Sequence, residues 1–172
     1  MKHLVFAVVF LMVLTSCQQQ KIGFIDNGEV INKYQMKIDI EDKYKLKDDA
    51  FKKKMDSVSR DFQIEAQAFQ VESQKLSQTK LQERYQELGQ KRQVLEQRFQ
   101  LEQQSMTGAF NTEMDSVISK VKSFVQDYGK TNGYTFILGK NEAGSVMYGN
   151  ESEDLTKTII EALNKEYKAN KD

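Results

Sequence analysis

The chain has 172 residues, 39% hydrophobic and 29% charged, and its 25 basic and 25 acidic residues cancel to a formal net charge of zero. A neutral chain gives no basis for broad nucleic-acid affinity through counterion release. Proline is absent altogether, against an average usage of about 5%, so long uninterrupted helices are permitted.

The opening "MKHLVFAVVFLMVLTSC" places Lys2 and His3 ahead of an apolar run, Leu4 to Leu14, that is too short for a comfortable permanent span. This layout predicts a secretory signal over residues 1–16. "LTSC" resembles a bacterial lipobox, in which the cysteine is acylated and becomes the new N-terminus, so Cys17 is the expected lipid attachment site. Each buried acyl chain contributes about 0.8 kcal/mol per CH₂, and several chains anchor firmly. Cys17 is the only cysteine and His3 the only histidine. The processed chain would therefore hold no free thiol and no imidazole. Disulfides, Cys/His zinc sites and Ser–His or Cys–His catalysis all lose their chemistry. No enzyme activity, metal or cofactor is expected.

In "KIGFID", Ile22 and Phe24 fall on one side and Ile25 on the other, which predicts a short strand buried in part on both faces. Asp26 and Asn27 are plausible caps for a brief helical turn, "GEVINKY". From about Met36 to Tyr128 only two glycines occur, Gly89 and Gly108, and the pattern is helical. Tyr44, Phe51, Met55, Val58, Phe62, Phe69 and Leu76 recur at steps of three, four and seven. Phe110, Met114, Val117, Val121, Phe124 and Tyr128 do the same, as in a heptad seam between helices. Midway the pattern thins, with Glu65 and Glu72 where a strict seam wants apolar residues. "KLSQTK", residues 75–80, contains Ser77 and Thr79, poorer helix formers that compete for the backbone. A hairpin tip is expected there, with Gly89 as the second choice. Each helix would then run about 60 Å at about 1.5 Å per residue.

Gly129, Asn132 and Gly133 stop the helical pattern. "YTFIL" predicts a strand, "KNEAG" a turn and "SVMYG" a further strand. Beyond Ser152, a capping hydroxyl and acids lead into a closing helix with Leu155, Ile159, Ile160 and Leu163 on one face. The expected class is α+β. A small β body comes from residues 17–35 and 129–172, and a long helical-hairpin tentacle from residues 36–128, with its tip near 75–90. Three strands from one chain leave edges and little core, which association with other copies would close.

This layout resembles the Skp/OmpH family of periplasmic chaperones. "KIGFIDNGEVINKY" is similar to that family's opening strand and short helix, and "GYTFILGKNEAGSVMYGNESEDLTKTIIEALN" to its closing strands and helix. The hairpin between them has the family's length and a tip region like "QTKLQE". The resemblance implies a homotrimer in which three sheets form a body and three hairpins surround a cavity. It implies that unfolded outer-membrane proteins are held there in the periplasm without ATP. The chain departs from the family in two respects: familiar members are soluble and basic, whereas this one carries a lipobox and is neutral. The distal hairpin is locally positive, with Lys75, Lys80, Arg84, Lys91, Arg92 and Arg98 against Glu83, Glu87 and Glu96. That patch bears on attraction of acidic clients or lipopolysaccharide.

Glutamines at 63, 67, 70, 74 and 78, continuing through 82, 86, 90, 93, 97, 100 and 104, run along the same segment. Glutamine offers donor and acceptor without charge and so could meet the backbone of an unfolded chain. It is also a good surface helix former, and residue type alone leaves both readings open. Phe62, Phe69, Leu76, Tyr85, Leu88, Leu95 and Phe99 are the candidate client contacts. Ile22, Phe24, Phe136, Ile137 and Leu138 are the expected body core. Acidic groups such as Asp48–Asp49 lack a partner base or nucleophile, and "GKNEAG" lacks a phosphate-loop spacing. The competing reading is a non-enzymatic structural envelope lipoprotein that uses its coiled coil to bind one folded partner.

Overall fold

A computed structural model of the chain describes residues 20–171, so the signal segment and Cys17 lie outside the described residues. Strand β1 (Ile22–Asp26) forms where apolar residues alternate, and it ends at a helix cap. The Asp26 carboxylate accepts a hydrogen bond from the Glu29 backbone N–H at 2.9 Å, which starts α1 (Asn27–Lys33). Glu29 and Lys33, one turn apart, pair at 2.7 Å. Tyr34 is extended and interrupts the helix before α2 (Gln35–Glu72).

The chain turns at a 3₁₀ segment, Ser73–Lys75, and an extended Leu76. Ser77 then caps α3 (Gln78–Thr131), its hydroxyl accepting from Lys80 N–H at 3.5 Å. The side chains competing for the backbone do lie at the turn. Gly89 and Gly108 both remain inside α3, where an added Cβ would meet nothing. An isolated helical glycine costs only about 1 kcal/mol, too little to break a helix held by a seam. At its end, Gly133 takes φ +70°, Tyr134 N–H reaches the Gly129 carbonyl at 2.9 Å, and Gly133 N–H reaches that of Lys130 at 3.4 Å. This paired closure is a Schellman motif.

Strand β2 (Phe136–Lys140) pairs parallel to β1, with Ile22 opposite Phe136 and Phe24 opposite Leu138. Parallel neighbours need a long crossover, and the helical hairpin supplies it. The other edge of β1 is met by the segment before α4 (Thr156–Ala169): Leu155 N–H donates to the Phe24 carbonyl at 2.8 Å, and the Thr156 hydroxyl accepts from Asp26 N–H at 2.8 Å. The Asp154 carboxylate in turn accepts from Thr156 N–H at 2.8 Å. The N-cap of α4 is Leu155, which supplies no side-chain capping bond, and Ser152 sits in a 3₁₀ turn, Glu151–Glu153.

The expected third strand, "SVMYG", is absent: residues 145–149 are irregular. Gly144 takes φ +81°, and Met147 and Tyr148 are 89% and 87% exposed. The edge of β1 away from β2 is occupied by Asp154–Thr156, and the outer edge of β2 has no strand beside it among the described residues.

The described residues divide into two units, one of residues 20–34 and 118–171, the other Gln35–Val117. In the first, Val30, Ile159 and Leu163 are essentially inaccessible, and Ile25, Tyr34, Val121 and Leu155 are buried beside them. Gly23 admits Leu155, since a Cβ there would fall 2.7 Å from Leu155 Cδ1. The expected body core is only partly a core. Phe24 is buried and Ile137 half-buried, whereas Ile22, Phe136 and Leu138 are 40%, 55% and 45% exposed. All three sit on the sheet face shared with Phe24. Of that set Phe24 alone is covered, its ring against Gly149. A two-stranded sheet with the helices on one side leaves the other side open.

Candidate functional site

The second unit is an antiparallel helical hairpin with one apolar seam. Aromatic pairs mark its register: Tyr44 with Phe110 (ring centroids 5.2 Å apart), Phe51 with Phe99 (6.0 Å) and Phe69 with Tyr85 (4.9 Å), all edge to face. Such contacts add about 0.5–1.5 kcal/mol beyond area burial. Ion pairs follow the same register, Lys43 with Glu113, Lys54 with Glu102 at 2.6 Å and Lys91 with Glu65. The Tyr44 hydroxyl also donates to Glu113 at 2.9 Å. Its hydrogen bonds from Lys43 first, and from Tyr44 second, hold the Glu113 carboxyl below its ordinary range. Desolvation, then the bond to Glu113, pushes the Tyr44 phenol up.

The candidate client contacts fall in this seam. Phe69 and Leu88 are buried, and Phe62, Leu76, Leu95 and Phe99 are half-buried. Tyr85 is 61% exposed but spends its ring edge on Phe69. Phe69 and Phe99 set their rings edge to face on Tyr85 and Phe51 of the facing helix.

Other apolar side chains are left in water. Leu46, Ile64 and Val71 on α2 and Val94 and Leu101 on α3 are each more than half exposed. They fall out of phase with the seam. Their own seven-residue spacing, Ile64 to Val71 and Val94 to Leu101, is the signal that could have found them.

The distal basic residues are partly neutralised. Arg84 pairs with Glu87 at 2.6 Å, Lys91 with Glu65, and Arg92 with Glu96 at 3.7 Å. Among the described residues, Lys75, Lys80 and Arg98 have no ion pair.

In the first unit a groove of about 510 Å³ lies along β2 and α3, lined by Ile25, Val121, Val125, Gly129, Phe136 and Ile137 among others. Nothing in it is arranged for bond-making. Among the described residues no group of three or more His, Cys, Asp or Glu side chains is placed to hold a metal, and no buried side-chain polar atom lacks a partner.

Comparison with known proteins agrees with this architecture. The fold is similar to a candidate outer membrane chaperone (OmpH-like) from Caulobacter crescentus CB15, with a TM-score of 0.76, 14% sequence identity and 86% of each chain covered. No curated protein sequence matches the chain significantly. The profile of the outer membrane protein (OmpH-like) family matches residues 21–163, nearly all of the described chain, and the protein belongs to that family.

Proposed function

We propose that the protein is a nucleotide-independent holding chaperone of the periplasm that binds unfolded outer-membrane proteins against its helical hairpins. The family supports a chaperone role, and the Caulobacter protein of similar fold is described as an outer membrane chaperone. The observation that carries the reading is the hairpin itself. Two long helices use their large aromatics to pair with one another and present glutamine-rich surfaces with isolated apolar side chains to solvent. Many shallow contacts hold a chain by number while leaving it mobile.

Assembly as a homotrimer fits the first unit. The exposed Ile22, Phe136 and Leu138 lie on one sheet face, and β2 has an edge with no strand beside it among the described residues. A second and third copy would cover such a face and edge, which otherwise invite uncontrolled pairing. Acylation at Cys17 would hold the assembly at an envelope membrane.

The test is aggregation of a urea-denatured β-barrel membrane protein on dilution, followed by light scattering without nucleotide. Purified protein lacking its lipid should suppress scattering at a stoichiometric ratio of assembly to client. Unchanged scattering, together with tight binding of a single folded envelope partner, would instead favour a structural scaffold.

A further inference from the structure

We infer that the client-contact residues are two exposed rows on the backs of the hairpin helices, and that they take an extended, unfolded polypeptide. One row is Ile64, Gln67, Val71 and Gln74 on α2. The other is Gln90, Val94, Gln97, Leu101 and Gln104 on α3. This assignment rests on the holding role proposed above and names the surface that performs it.

The placement follows from helix geometry. Ile64 and Val71 each stand two residues beyond a seam aromatic, Phe62 and Phe69, and Leu101 stands two beyond Phe99. Two residues are about 200° of rotation, so these side chains point away from the partner helix. Their exposures agree: Ile64 59%, Val71 69%, Val94 54% and Leu101 58%. Every glutamine in the two rows is exposed as well. Apolar side chain and glutamine alternate at steps of three and four, and that is the local chemistry of an unfolded chain, which offers apolar side chains between backbone donors and acceptors.

The rows occupy successive levels of the hairpin. Ile64 to Val71 lies at the height of the Phe69–Tyr85 and Glu65–Lys91 contacts. Val94 to Leu101 lies between the Lys91–Glu65 and Lys54–Glu102 contacts. Together they extend the apolar series along the helices without widening it at any one level.

Area decides against a second copy of the chain as occupant. Four half-exposed aliphatic side chains present on the order of 400 Å² at about 100 Å² each. A stable protein interface takes about 600 Å² or more from each partner. A surface this thin does not dimerise; repeated along a flexible polypeptide it retains that chain reversibly.

The full mature chain, in its native assembly, tests this with I64Q/V71Q, V94Q/L101Q and the combined variant. The probe is a dye-labelled, urea-denatured β-barrel membrane polypeptide titrated by fluorescence anisotropy at fixed salt. The combined variant should bind about tenfold more weakly or worse, with each pair contributing part of the loss. Its urea midpoint and native mass should equal those of the wild type, since the substituted side chains face water. A benzophenone side chain at position 64 or 101, in an otherwise wild-type chain, should form adducts with the probe. The same group at Lys52, off the rows, should form few. Wild-type affinity in the combined variant, or equal adducts at all three positions, would overturn the assignment and leave the holding role standing. Failure of the wild type itself to bind the probe would remove the holding role and this assignment with it.

Discussion

The two units reach stability by different means. The first gathers side chains from β1, α1, α4 and the end of α3 around Val30 and Ile159, both 0% exposed. Stacked rings, Phe124 on Tyr128 and Tyr128 on Tyr134, and Lys21 lying 4.1 Å over the Tyr134 ring, pack its margin. The second has one seam between two helices, and most of its seam residues retain partial exposure. The contrast teaches that a helix pair can be specified without a full core. Edge-to-face aromatics set the register, and ion pairs along the flanks repeat it. A hairpin built this way keeps its outer surface free of structural duty.

If that contrast is right, damage to the first unit is the more costly. Ile159→Ala should lose about 2–5 kcal/mol, the range for emptying a fully packed aliphatic site, seen as a lower urea midpoint. Phe51→Ala should cost about 2 kcal/mol, because a seam open to water along both flanks relaxes around the gap. Amide exchange should then quicken along α2 and α3 near Phe51 while β1 and α4 remain protected. Equal losses in both units would remove the distinction. Gly133→Ala, which forces a side chain onto φ +70°, should destabilise by about 1 kcal/mol in thermal unfolding.

Acid gives a gentler probe of the second unit. Glu113 has a depressed native pKa, so its stabilising contribution is fully present above the ordinary carboxylate value of about 4.3. That contribution is lost as pH falls from there through the lower native value. Helical signal measured across that window should show a loss in the wild type that Glu113→Gln lacks. The smallest effect is expected from Lys54→Ala. Its pair with Glu102 is solvent-exposed, so the cost should stay within about 1 kcal/mol by urea denaturation and shrink further in salt.

Sequence periodicity made most of the second unit legible. Heptad steps from Tyr44 to Phe69 and from Phe110 to Val121 identify the paired faces, and Ser77 identifies the turn. The candidate contacts were not legible in the same way. Phe69 and Leu88 look available in a thinly apolar sequence, but both are buried. In the first unit, propensity misled at "SVMYG", whose residues suit a strand but stay irregular, with Met147 and Tyr148 in solvent and Gly149 under the Phe24 ring. The exposure of Phe136 and Leu138 is a matter of which sheet face the helices cover.

Native mass measurement, with and without a denatured β-barrel client, tests the carrier reading most directly because it counts subunits and reports capture in one experiment. The account predicts a homotrimer that shifts by the mass of one client and reverts when the client folds into lipid. A monomer that gains no mass from the client would contradict it.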